Sequence, residues 1–74
     1  MNLGISINVY LAKSGDFNKT MGELKESLGV TDRTMYTYRT TERGAQAKTQ
    51  EIADFFDVSV SDFIKAGEKD KPRG

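Results

Sequence analysis

Cysteine, histidine and tryptophan are absent from this chain, and proline occurs once, at Pro72. Each absence closes a class of chemistry. Without cysteine there is no disulfide framework and no thiolate nucleophile. Structural zinc sites draw on Cys and His, and the usual general base near neutral pH is His. No apolar run approaches the roughly 18 residues needed to span a bilayer. No basic stretch leads into an apolar block at the start, so no signal peptide is expected. Together these absences predict a cytoplasmic, non-enzymatic protein that needs no metal and no cofactor. Glu23 and Glu26 lie three apart on one helix face, but such pairs are ordinarily solvated charges.

An excess of either charge is missing too. Eleven basic side chains balance eleven acidic ones over 74 residues, for a net charge of zero. A domain that binds nucleic acid usually carries a basic surface. The distribution is mildly polarised. Residues 1–48 hold seven basic and five acidic side chains, a balance of +2, and residues 49–74 carry the matching −2.

What is present is helical periodicity with caps, in a chain long enough for one domain. Ile7, Tyr10, Leu11 and Ser14 fall at helical spacing and predict a first helix from Ser6 to about Ser14, stopped by Gly15. Ser6 is its expected cap, with Ile5 stapled on Tyr10. The alternation of Ile5, Ile7 and Val9 leaves a strand as the competing reading. "SGDFNK" reads as a loop anchored by Phe17. Thr20 and Glu23 form a T-x-x-E capping box for a second helix, with Met21, Leu24 and Leu28 as its buried stripe. Gly29 is expected to end it with a positive φ.

The third helix starts at once. Thr31 is the expected N-cap, and Asp32 suits the positive helix end. Met35 and Tyr38 face inward, which leaves Arg33, Tyr36, Thr37 and Thr40 outside. Threonine is a poor helix former, so its abundance here is an odd choice for stability alone. "TTERGAQAK" reads as a loop. A fourth helix runs from about Thr49 to Phe56 and buries Ile52, Ala53 and Phe56. A fifth runs from about Ser61 to Ala66, capped by Ser59 with Asp62, stapled by Val58 and Phe63, and ended by Gly67. The charged segment from residue 68 to residue 74 is expected to be a disordered tail, which makes residues 1–67 the folded domain.

Two helices joined by a short glycine-containing turn form a helix-turn-helix pattern; the plain alternative is an ordinary helical hairpin. "TMGELKESLGVTDRTMYTYRT" (residues 20–40) resembles the helix-turn-helix of the Cro/repressor (Xre-like) family of phage and bacterial transcription regulators. "RGAQAKTQEIADFFDVSVSDFI" (residues 43–64) is similar to that family's closing segment. The resemblance covers about 60 of the 74 residues. The departures are Met21 where the family usually has Gln, Lys25 where a small residue is usual, Tyr38 at a tryptophan-like position and Asp57 where glycine is common.

The resemblance implies an all-α, compact five-helix, lambda-repressor-like fold. It implies a Cro-like repressor, of phage or mobile-element type, that binds double-stranded operator DNA as a homodimer. By position, Thr31, Asp32, Arg33, Tyr36, Thr37 and Thr40 would read bases, with Arg33 the best placed to pair bidentately with guanine. Asp32 could accept from cytosine or serve only as a helix-end charge. Tyr36 could meet DNA or pack on Tyr10 or Phe17. Lys19, Thr20, Arg39, Arg43 and Lys48 would contact phosphates, helped by backbone N–H groups at the start of the second helix. Phe55, Phe63 and Ile64 are the candidate dimer contacts. The competing reading is a protein-interaction module, an antirepressor or adaptor, that keeps this fold without binding DNA. Neutral charge, Met21 and Lys25 favour it, and salt discriminates the two, because DNA binding weakens steeply as salt rises.

Overall fold

A helix begins where its first N–H groups find acceptors, and α1 (Leu3–Lys13) finds them in two places. The computed structural model describes residues 2–69. In it the Asn2 side chain accepts from Ile5 N at 3.1 Å. Leu3 N and Gly4 N donate to the carbonyls of Glu42 and Thr41, at 2.8 and 3.2 Å. The helix therefore starts three residues before the expected Ser6. Ser6 is not the cap; it lies fully buried inside the helix, and its hydroxyl donates to the Asn2 carbonyl. With the earlier start Ile5 lies inside the helix, so the Ile5–Tyr10 staple is not formed, and the strand reading falls.

The other helices are α2 (Phe17–Leu28), α3 (Asp32–Thr40), α4 (Thr49–Phe55) and α5 (Val60–Lys69), with a single 3₁₀ turn at Gln46–Lys48 inside the expected loop. No strand occurs among the described residues. The fold is thus the all-α, five-helix domain expected. The α5 helix runs through Gly67 to Lys69, so the expected tail begins at the earliest at residue 70, and residues 70–74 lie outside the described residues.

The core is built on α1. Leu3, Ile7 and Leu11 are fully buried, along with Leu24 from α2, Ile52 and Ala53 from α4 and Phe63 from α5; Met35 from α3 joins them. Tyr10 stacks on Phe56 and Phe63, with ring centroids 5.3 and 5.9 Å apart, and Phe55 meets Phe56 edge-on. Phe56, expected in the fourth helix, is its C-cap and only half-buried.

Two glycines allow the backbones of this small core to approach closely. A Cβ at Gly4 would stand 2.7 Å from the carbonyl oxygens of both Arg39 and Thr41. A Cβ at Gly67 would collide with the Asn2 carbonyl and the Ser6 hydroxyl. Gly67 is therefore a packing position within α5, not its stop.

Candidate nucleic-acid interface

The turn between α2 and α3 forms as its residues dictate. Gly29 is left-handed at φ 67°, and its N–H donates to the carbonyls of Lys25 and Glu26. Val30 N also donates to the Lys25 carbonyl, which closes the helix end. Thr31 then caps α3: Thr34 N donates to its Oγ1 at 3.2 Å. Three residues, 29 to 31, separate the two helices.

The α3 helix is fixed from behind. Met35 is buried, Tyr38 is half-buried against the core, and Gly4 of α1 lies under the α3 C-terminal carbonyls. Asn8 and Arg39 bond reciprocally: Asn8 Nδ2 donates to the Arg39 carbonyl at 3.2 Å, and Arg39 Nε donates to Asn8 Oδ1 at 2.9 Å. Gly4 and Asn8, one helical turn apart on α1, thus form the seat of α3. The sequence reading missed both. The available signal was their i, i+4 spacing with two poor helix formers on one face.

The six expected base readers, Thr31, Asp32, Arg33, Tyr36, Thr37 and Thr40, are all exposed. Tyr36 is 64% exposed, the single large apolar side chain in that condition among the described residues, so the alternative of packing on Tyr10 or Phe17 is not adopted. The threonine hydroxyls are not idle. Thr37 Oγ1 donates to the Arg33 carbonyl, Thr40 Oγ1 to the Tyr36 carbonyl, and Thr41 Oγ1 to the Thr37 carbonyl. This back-bonding uses their protons within the helix, leaving methyl groups and acceptor lone pairs for an outside partner. Asp32 is held by Lys25, whose Nζ lies 2.6 Å from Asp32 Oδ1. That hydrogen bond and charge raise the Lys25 amine above the usual lysine value of 10.5.

The expected phosphate contacts divide. Lys19 and Arg43 are exposed. Arg39 is not free for phosphate: besides Asn8, its Nη1 donates to Met21 Sδ at 3.2 Å and its guanidinium lies 5.0 Å from the centre of the Phe17 ring. It ties α1, α2 and α3 together. Lys48 pairs with Glu51 at 3.4 Å. The expected Thr20–Glu23 capping box is not formed, because α2 begins at Phe17; Thr20 lies inside the helix with its N–H on the Asp16 carbonyl. The true cap is Asp16, whose carboxylate accepts from Lys19 N at 3.1 Å. An acidic group therefore already occupies the helix end that was expected to greet a phosphate, and Met21 falls in the second turn.

Of the expected dimer contacts, Phe63 is fully buried and is withdrawn; it belongs to the core. Phe55 and Ile64 are half-buried against that core and still show part of their surface. A separate depression between α1 and α5 is lined by Val9, Tyr10, Lys13, Asp62 and Lys65, with no contribution from α3. Among the described residues no helix is long and apolar enough to cross a membrane. Set against known proteins, no family model, no curated protein and no solved structure matches this chain.

Proposed function

We propose that this domain is a sequence-specific reader of double-stranded DNA, acting in the cytoplasm as a small Cro-like transcriptional repressor of phage or mobile-element type. One observation carries the reading. The α3 helix is clamped along its inner side and capped at its start, yet the side chains of its outer face, Arg33, Tyr36, Thr37 and Thr40, are all exposed, and the threonine hydroxyls bond only within the helix. A rigid, capped helix presented after a three-residue turn suits insertion into a major groove. Arg33 would take guanine, the threonine methyls would meet thymine methyls, and Tyr36 would add an apolar contact or a phosphate bond. Lys19 and Arg43 remain available to phosphates. Neither catalysis nor a cofactor is part of the proposal. A single helix makes few base contacts, so pairing of two copies on two half-sites is part of it, with Phe55 and Ile64 as the contact candidates.

A protein-partner role has its own support. Arg39 and Lys48 are engaged within the chain, and Asp16 caps α2, which together thin the phosphate-binding set. Exposed Tyr36 would then anchor a protein partner.

Selection from a random duplex library at low and moderate salt separates the two. An enriched, roughly palindromic site whose binding falls on Arg33→Ala by about 1–3 kcal/mol supports the DNA reader. Absence of enrichment and of salt-sensitive binding rejects it in favour of the protein-partner role.

A further inference from the structure

We infer that Lys25 is a positioning residue for the DNA-reading face, whose task is to neutralise Asp32 at the entrance of α3. The inference rests on the DNA-binding reading above. Asp32 is the first residue of α3, and its side chain is 90% exposed. Left alone, its carboxylate would stand where the helix enters a groove walled by phosphates. Lys25 reaches it across the turn, from the last turn of α2 to the first turn of α3, with a 2.6 Å hydrogen bond.

The crossing itself explains why a lysine sits there. Lys25 is half-buried, so its stem lies along the protein while its amine emerges at the α3 end. Two charges thereby cancel at the tip of the helix, and Arg33 is left as the unpaired cation on the outer face of α3. The ion pair also assigns Asp32 a role other than base reading: one carboxylate oxygen is held by Lys25. The helix gains an acidic residue in its first turn, which its dipole favours, without presenting a net negative charge to DNA. Glu26, the neighbouring acid, is exposed and has no cation within ion-pair distance among the described residues, so Lys25 is the local counter-charge for this corner.

The test compares wild type, Lys25→Met, Asp32→Asn and the double variant for binding to the duplex that wild type selects, at low and moderate salt. Methionine keeps the lysine stem, and thermal unfolding of each variant checks that the fold survives. Lys25→Met is expected to weaken binding about three- to tenfold at low salt, the effect of one uncompensated charge near phosphates in water. The gap should shrink as salt screens it. Asp32→Asn, which leaves the Lys25 charge uncompensated, should bind more tightly than wild type, and the double variant, neutral at this corner as wild type is, should match wild type. Three results overturn the inference alone while DNA binding stands. They are an unchanged Lys25→Met, a double variant as weak as Lys25→Met (Lys25 then touches phosphate itself), and loss of discrimination at one base pair in Asp32→Asn (Asp32 then reads a base). A wild type that binds no duplex overturns both.

Discussion

Two turns in this domain have nearly the same local chemistry and opposite fates. Between α2 and α3 the chain reads Gly29-Val30-Thr31; between α4 and α5 it reads Asp57-Val58-Ser59. Each begins with a left-handed residue, at φ 67° and 59°, and each ends in a hydroxyl N-cap bonded to an N–H three residues on. Four residues after the cap, each following helix buries a large side chain, Met35 in one and Phe63 in the other. One residue further they part. Tyr36 stands in solvent, whereas Ile64 is half-buried. The α5 helix lies against α1 through Gly67, while the outer side chains of α3, Arg33, Tyr36, Thr37 and Thr40, are all exposed. Local residues make the turn and the cap. Which face stays open is decided by what packs on the helix from elsewhere in the chain.

That comparison can be pressed by mutation. The largest difference is expected between Phe63→Ala and Tyr36→Ala. The first should cost about 3–5 kcal/mol of stability, and the second should stay within about 0.5 kcal/mol, both read from urea unfolding midpoints. Similar losses would mean that the outer face of α3 is held in the structure after all. Next comes Gly67→Ala, where the added methyl must displace the Asn2 carbonyl and the Ser6 hydroxyl; a loss of about 1–3 kcal/mol is expected in the same assay. The two left-handed positions should then respond with opposite signs. Gly29→Ala should lose about 1–2 kcal/mol, while Asp57→Gly should gain a few tenths to about 1 kcal/mol, because glycine accepts that φ without strain.

The smallest effect belongs to the Lys25–Asp32 pair. The raised amine contributes its stability fully below the unfolded lysine value of 10.5 and loses it as pH rises through the folded value. Thermal unfolding from neutral pH to about pH 11.5 should therefore show a slight alkaline loss in wild type that Lys25→Met lacks. Equal slopes would deny the pair any linkage to folding.

Local signals were legible in the sequence and long-range ones were not. The left-handed Gly29, the Thr31 cap and the Ser59 cap all act within four residues, and all three lie where the residues predicted. The start of α2 was misplaced because two caps compete in a short span. Thr20 with Glu23 satisfies the pattern, but Asp16 wins because starting there brings Phe17 onto the core and under the Arg39 guanidinium. Gly67 has the look of a helix stop, and nothing nearby in sequence says that Asn2 lies across from it. Arg39 fails as a phosphate ligand for a similar reason: its partners, Asn8 and Met21, come from two other helices. The candidate face was legible because it depends only on the periodicity of α3 and on Met35 and Tyr38 pointing inward.

The contact between Gly67 and the Asn2 carbonyl also sets an order of events during synthesis. Of the five helices, α1 is made before the rest, and it cannot finish packing until α5 exists, because Gly67, which lies close against the Asn2 carbonyl, comes some sixty residues later. At a synthesis rate of about 5–20 residues per second, the side of α1 that α5 will cover waits roughly 3–12 seconds in the open. A nascent chain in that interval presents a sticky helix to whatever surrounds it, and completion of α5 is what withdraws that helix from the crowd.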